Sequence, residues 1–182
     1  MDTLGIVESR SIAAGVELAD AMVKVADVEL VRASTICSGR YMIYVAGDRE
    51  AVETSVRLAR ESGRALAGSF VISNVSPQVT DVLKKSSPAL EGEALGVIES
   101  RTASSGVAAA DKAVKRSAIR LLRLVTGQGI TGKSYFVIGG EVASVQEATQ
   151  AAKSALGKNL VEAVVIPRPN ASVVKALTFA AR

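Results

Sequence analysis

The sequence predicts an α+β fold built from two tandem domains, each with the element order β-α-β-β-α-β. Three observations support this prediction: a long internal repeat, the same alternation of strand-like and helix-like segments in each half, and a polar connection between the halves. Leu4–Arg10 recurs almost unchanged as Leu95–Arg101, and nearly half of the positions from Leu4 to Arg32 are identical to their counterparts. A repeat of this length indicates a duplicated domain.

The register of the repeat gives the domain limits. A short insertion precedes Gly132-Lys133, which then aligns with Gly39-Arg40, and Ile166 aligns with Ile72 near the end. Residues 86–93 are rich in Ser, Glu, Pro and Gly, which is typical of a connection. We therefore predict one domain over residues 1–88 and a second over residues 89–182.

Each copy is predicted to contain four strands, with its helices packed on one face of the sheet as in ferredoxin-like domains. Ser11 and Asp48 are the predicted N-caps of the two main helices of the first copy. The predicted elements of that copy are Leu4–Glu8, Ser11–Val25, Glu29–Ser34, Tyr41–Val45, Glu50–Ser62, Ser69–Ser73 and Pro77–Leu83. The later ones of the second copy are Arg120–Val125, Tyr135–Ile138, Ser144–Leu156 and Val161–Ile166.

Composition and charge exclude several classes of function. The net charge of +4 is spread along the chain, without the basic stripe and interleaved aromatic residues that nucleic-acid binding requires. No segment approaches the roughly 18 apolar residues of a membrane span, and no charged leader is visible. A single cysteine cannot form a disulfide within the chain. We therefore expect a cytoplasmic protein with neither a nucleic-acid nor a membrane partner.

No arrangement of residues indicates catalysis. The chain has no histidine, which removes the commonest general base and metal ligand. The carboxylates that could suggest acid–base chemistry, Glu8 with Glu99 and Asp20 with Asp111, are repeat counterparts, one per copy, and no pairing of a nucleophile with a base accompanies them. We interpret them as structural and expect no enzyme activity.

The segment from Gly127 to Ser134 matches the phosphate-binding pattern G-x-x-x-x-G-K-[ST]. That pattern binds phosphate only where a helix begins at its Lys-Ser pair. Here the strand-like run Tyr135–Ile138 follows, so we predict a glycine-rich turn between two strands rather than a nucleotide site.

The first copy has a turn at the same place, and it contains Cys37, the only cysteine. A free cysteine is often a small buried apolar residue. However, a Cys-Ser-Gly turn between strands tends to expose its side chains. One thiolate cannot hold a metal cluster, but three symmetry-related copies meeting on an axis could supply three soft ligands. The residues alone leave both interpretations open.

The repeated segments resemble a known family, the bacterial microcompartment shell proteins in their tandem-domain form. The matching segments are Leu4–Glu8, Ala19–Lys24, Gly39-Arg40 and Gly47-Asp48 in the first half, and Leu95–Glu99, Ala110–Lys115, Gly132-Lys133 and Ile166–Pro169 in the second. The resemblance covers nearly the whole chain and occurs twice in register, which makes it far more specific than one short motif.

The resemblance implies a homotrimer that forms a pseudo-hexamer, tiling edge to edge with other shell proteins. It places Lys24, Lys115 and Arg168 at the contacts between tiles. The first copy lacks the counterpart of Arg168, since it reads Ser-Asn-Val-Ser-Pro over residues 73–77.

The resemblance also implies that the two turns line a central pore. The expected pore-lining residues are Thr35, Ile36, Cys37, Ser38, Gly39, Gln128, Gly129, Ile130, Thr131 and Gly132. The first turn is most similar to that of the T-type shell proteins of propanediol-utilisation compartments, although Ser38 stands where they commonly have proline.

In those T-type proteins three cysteines at this turn ligate an iron–sulfur cluster. The resemblance therefore implies one [4Fe–4S] cluster per trimer held by three Cys37 thiolates, with electron transfer or cluster exchange across the shell. Encapsulated redox enzymes would then be further partners. The alternatives are a tile with an open or gated metabolite pore and no cluster, and a small-molecule-sensing regulator.

Overall fold

The computed structural model describes residues 3–83 and 92–178. The elements of the first copy are β1 (Thr3–Ser9), α1 (Ile12–Val25), β2 (Glu29–Ile36), β3 (Arg40–Gly47), α2 (Arg49–Glu61), β4 (Leu66–Ser73) and α3 (Pro77–Leu83). Those of the second are β5 (Ala94–Ser100), α4 (Ala103–Arg116), β6 (Arg120–Thr126), β7 (Ser134–Gly140), α5 (Val142–Leu156), β8 (Leu160–Pro167) and α6 (Ala171–Thr178). The predicted α+β class and element order are confirmed.

Two four-stranded antiparallel sheets form, with the orders β2-β3-β1-β4 and β6-β7-β5-β8. The first strand of each copy lies in the middle of its sheet, so Gly5 on β1 is opposite Val45 on β3 and Val71 on β4. Both edges of β1 are paired, and every residue of β1 is buried. Glu8 at its end is therefore a buried carboxylate.

The core of the first sheet lies under helices α1 and α2. Apolar side chains from both helices pack with Val7, Ile43 and Val45 of the sheet. Gly5 lets α2 approach, because a Cβ at this position would lie within 3 Å of Val52 and Val56. Gly96 meets Ile138 and Thr149 in the same way in the second sheet.

The chain divides into two compact units that exchange short segments relative to the repeat. The first unit comprises residues up to Val75 together with 102–105 and 126–132, and the second comprises 76–101, 106–125 and residues from 133 onward. Helix α3 therefore groups with the second unit. There the side-chain amide of Gln78 donates a hydrogen bond to the Ile119 carbonyl and accepts one from the Leu121 backbone N–H. The predicted domain boundary at residues 88 and 89 lies outside the described residues.

The predicted caps differ in outcome. The Ser11 hydroxyl accepts a hydrogen bond from the Ala14 amide, as expected of an N-cap. Asp48 occupies the corresponding position before α2, but its side chain makes no capping bond, so that prediction was wrong in its chemistry. Within the described residues, no helix is both long enough and apolar enough to cross a membrane.

Candidate functional site

The first turn is three residues long and joins β2 to β3. Strand β2 continues through Ile36, so Thr35 and Ile36 belong to the strand rather than to the turn that we had predicted. Ser38 and Gly39 both have positive φ, at 67° and 65°. Two consecutive left-handed residues also occur in the two-residue type I′ hairpin turn, whose twist matches that of the flanking strands. Proline cannot adopt the φ of Ser38, so this turn differs in shape from one with proline there.

The second turn spans residues 127–133 and is held closed by a hydrogen bond from the Gly132 amide to the Gly127 carbonyl at 3.3 Å. Its glycines at 127, 129 and 132 all have positive φ, which only glycine adopts without strain. Strand β7 begins directly after it, at Ser134. No helix starts at Lys133-Ser134, so the prediction of an inter-strand turn rather than a phosphate loop is confirmed.

The two turns meet inside the first unit. The Gly129 amide donates a hydrogen bond to Cys37 Sγ at 3.0 Å, and the Ser38 hydroxyl donates to the Thr131 carbonyl at 3.0 Å. Ile36 packs against Gly127 beneath them. Cys37 is a free thiol of intermediate exposure. The structure thus gives the sulfur of the half-buried Cys37 a backbone donor from the second copy.

The predicted pore-lining residues have unequal exposure within one chain. Ile36 and Gly132 are buried, and Cys37 and Ile130 are half-buried. The exposed ones are Thr35, Ser38, Gly39, Gln128, Gly129 and Thr131. Whether they line a pore depends on how chains assemble, so their role stays a prediction.

A buried ion pair fixes the base of the first turn. The Arg40 guanidinium donates to Glu8 Oε1 at 2.8 Å, and the other oxygen of Glu8 accepts from the Ser104 amide at 2.9 Å and its hydroxyl at 2.6 Å. Glu8 is fully buried, and the Arg40 side chain is 18% exposed. In the second copy Lys133 pairs with Glu99 at 2.9 Å, but both are far more exposed.

The partners of Glu8 were not predicted from the sequence, in which Glu8 was interpreted only as a structural carboxylate. The available signal was the repetition of a strand glutamate together with a basic residue directly after the glycine of the turn, Glu8 with Arg40 and Glu99 with Lys133. Ser104 could not have been found this way, because its counterpart in the first copy is an alanine.

The hydroxyl of Tyr44, in the middle of β3, is buried near Thr126 at the end of β6. Burial raises the pKa of Tyr44 to about 12, and the nearby Thr126 side chain offsets part of this rise. The Tyr44 hydroxyl nevertheless has no partner in hydrogen-bonding geometry among the described residues. Tyr44 is therefore neutral at physiological pH and adds no charge next to the turns.

The predicted edge residues lie in different surroundings. Lys24 pairs with the exposed Asp20 at 2.6 Å, whereas Lys115 pairs with the buried Asp111 at 2.5 Å. Arg168 is exposed and has a φ of 48°, and Asn74 holds the same place in the first copy with a φ of 50°. The backbone conformation is thus retained where the arginine is not.

Potential metal ligands are sparse in the part of the chain that the structure describes. No group of three or more Cys, Asp or Glu side chains that could hold a metal occurs among residues 3–83 and 92–178. Cys37 is a soft donor, partly exposed, with a backbone N–H on its sulfur, a common feature of cluster-binding thiolates. The residues fit an iron–sulfur cluster only if several chains contribute one Cys37 each.

Comparison with known proteins identifies the family. The BMC domain matches this chain twice, over residues 3–77 and 94–169. The chain belongs to the BMC-domain family of bacterial microcompartment shell proteins. It is 35% identical over 173 residues to the bacterial microcompartment shell protein PduT of Citrobacter freundii, covering 93% of this chain and 94% of that protein. A carboxysome shell protein of Synechococcus elongatus is 42% identical over 71 residues, covering 39% of this chain and 70% of that protein.

Solved structures agree with the tandem BMC arrangement. A microcompartment protein from Desulfitobacterium hafniense has 36% identity and a TM-score of 0.82, covering 96% of this chain and 99% of that one. The fused permuted hexameric shell protein of the RMM microcompartment has a TM-score of 0.60 over 85% of this chain and 81% of that one. At 22% identity, the second likeness supports the fold alone.

Proposed function

We propose that this BMC protein is a homotrimeric tile of a microcompartment shell, and that three Cys37 thiolates hold one [4Fe–4S] cluster at the centre of the tile. The observation that carries the proposal is the pairing of the two turns at Cys37, where the sulfur of this half-buried residue accepts a hydrogen bond from the Gly129 amide. Full-length similarity to PduT supports the tile. No residue is assigned a catalytic role.

A trimer of a duplicated domain has six near-equivalent sides, as a flat tile requires. Other shell proteins are the neighbours that such a tile would meet, and the similarity to carboxysome shell proteins supports partners of this class. Closed symmetry also brings three copies of any residue near the axis together. One thiol per chain then becomes a set of three.

The chain's own groups would prepare that site. The tight Ser38-Gly39 turn fixes the direction of the Cys37 side chain, and the Glu8–Arg40 pair anchors the strand that follows. The Gly129 amide stabilises negative charge on sulfur, as hydrogen bonds to cluster thiolates do. A bound cluster would supply one-electron transfer, for which redox enzymes inside the compartment are the matching partners. Without it, the tile is an open or gated metabolite pore.

Iron and sulfide content tests the cluster. Protein purified anaerobically should contain about four iron and four sulfide per three chains, with visible absorption from thiolate-to-iron charge transfer. Cys37→Ser should lose all three signals because it removes the thiolates. Gln128→Ala is the matched control, since it removes an exposed side chain from the second turn and keeps the thiol, and it should keep the iron. Absence of iron after reconstitution, or iron retained in Cys37→Ser, would favour the open pore.

The edge assignment predicts a separate effect on the lattice. Lys24→Ala and Lys115→Ala should each reduce the formation of extended sheets in negative-stain images while single tiles persist, because both lysines are expected at contacts between tiles. Lys153→Ala is the control, because it removes the same charge from the exposed side of α5, away from the expected contacts. Normal sheets from both edge variants would show that the edge assignment is wrong.

A further inference from the structure

The second turn is fixed at both of its ends. At its start, Gly127 packs closely on the side chain of Ile36. At its end, the Gly132 amide donates to the Gly127 carbonyl, and the Gly132 carbonyl accepts a hydrogen bond from the Arg40 guanidinium at 3.5 Å. These contacts hold the two ends together, but they do not by themselves place the middle of the turn, residues 128–130.

Gly129 lies in this middle part and is not held there by packing. It is exposed, and a Cβ at this position would meet nothing within 4 Å. Its amide nevertheless donates to Cys37 Sγ at 3.0 Å. An exposed backbone group with few contacts opens easily unless the chain beside it is held. The contact that keeps the Gly129 amide on the sulfur therefore acts through a neighbouring residue of the turn.

Ser38 supplies that contact. It directly follows Cys37, and its hydroxyl donates at 3.0 Å to the carbonyl of Thr131, two residues after Gly129. Ser38 and Thr131 are equivalent residues of the two turns, since each precedes the last glycine of its turn and has a positive φ, 67° and 53°. The hydrogen bond thus joins the two turns beside the bond between the Gly129 amide and the Cys37 sulfur.

We infer that Ser38 is a positioning residue for the proposed cluster: through Thr131 it holds the Gly129 N–H on the Cys37 sulfur, and this raises the reduction potential of the cluster. Reduction adds one electron, and part of the added negative charge resides on the thiolate sulfurs. A hydrogen-bond donor to such a sulfur favours the reduced state. The inference rests on the proposed function and adds a control of its potential, with three such donors for the three chains.

Loss of the Ser38 hydroxyl should leave the fold intact. Ser38 and Thr131 are both exposed, so water can replace the hydroxyl at the Thr131 carbonyl. The contacts at the two ends of the second turn do not involve Ser38. The variant Ser38→Ala should therefore loosen the middle of the second turn without separating the turns.

Potentiometric titration with dithionite, followed by electron paramagnetic resonance of the reduced cluster, tests this role. Ser38→Ala should lower the reduction potential, so that the ratio of reduced to oxidised cluster falls about tenfold at a fixed potential, or about 59 mV for a one-electron couple. Ser38→Thr keeps the hydroxyl and should restore the wild-type potential. Thr131 shows that threonine adopts a positive φ at this place in the repeat.

Thr131→Ala is the matched control. The Thr131 hydroxyl donates to the adjacent Ile130 carbonyl at 2.8 Å, and the Thr131 carbonyl that accepts from Ser38 is kept in alanine. The control thus removes an exposed hydroxyl from the same pair of turns but retains the bond between them. Its potential should equal that of the wild type.

Hydrogen exchange measures the same role without a cluster. In cluster-free protein labelled isotopically at glycine nitrogen, Ser38→Ala should speed exchange of the Gly129 amide about tenfold, and Thr131→Ala should leave it unchanged. This measurement decides the role of Ser38 even if Ser38→Ala takes up no iron.

Two results would overturn the inference in different ways. A wild-type cluster whose potential is unchanged in Ser38→Ala, or a Gly129 amide that exchanges at the same rate in that variant, would overturn the positioning role and leave the proposed cluster standing. Wild-type protein that holds no iron after reconstitution would overturn the cluster and the control of its potential together.

Discussion

Replacing Glu8 by glutamine should lower the free energy of unfolding by about 3 kcal/mol. The Glu8 carboxylate is fully buried and accepts three hydrogen bonds, from the Arg40 guanidinium and from the amide and hydroxyl of Ser104. Glutamine removes the charge that balances Arg40 and turns a donor group toward other donors. Removing one partner of a buried pair is costly because the other charge stays desolvated. Denaturant titration at fixed protein concentration measures the loss.

Glu17→Gln is the control for this experiment. Glu17 pairs with Arg64, but both side chains are about half exposed, and such surface pairs contribute little. We expect no measurable change. If Glu8→Gln were equally silent, the Glu8–Arg40–Ser104 network would not hold the base of the first turn. The network would then have no role in positioning Cys37.

Alanine at Gly127 should destabilise the protein by about 2–4 kcal/mol. Gly127 has a φ of 84°, and a Cβ there would lie 2.8 Å from Ile36 Cδ1 and 2.9 Å from its Cβ. The substitution therefore combines backbone strain with a clash between the two turns. Because Ile36 directly precedes Cys37, the clash also displaces the thiol.

Gly129→Ala separates the two causes. Gly129 has a similar φ of 75°, but a Cβ there would meet nothing within 4 Å. We expect only the strain, about 1–2 kcal/mol. The difference in unfolding free energy between the two variants measures the packing of one turn on the other. Equal losses would mean that the turns do not pack in solution as they do in the structure.

The repeat explains why the fold could be predicted from the sequence. Hydrophobic periodicity located the strands and helices, and the duplication checked each assignment in the second copy. The strand after Lys133 was predicted from Tyr135–Ile138, and it correctly excluded a phosphate loop. Where the prediction failed, the cause was local: whether Asp48 bonds a helix amide depends on its rotamer, which a pattern does not encode.

The burial of repeated residues could not be predicted in this way. Val16 and Val107 are the same residue at the same repeat position, yet one is open and the other is buried. A periodic pattern assigns both to the same environment, because it describes a copy by itself. The partners of Glu8 and Cys37 were missed for the same reason, since Ser104 and Gly129 come from the other copy.

Three chains are proposed to share one cluster through Cys37. Native mass spectrometry of protein kept anaerobic from cell lysis onward measures chain number and cluster content in the same ion. We predict a trimer of 18.8 kDa chains carrying the added mass of four iron and four sulfur atoms, and a trimer without that mass for Cys37→Ser. A wild-type trimer that stays at the mass of three bare chains after reconstitution, or a cluster bound to a single chain, would contradict it.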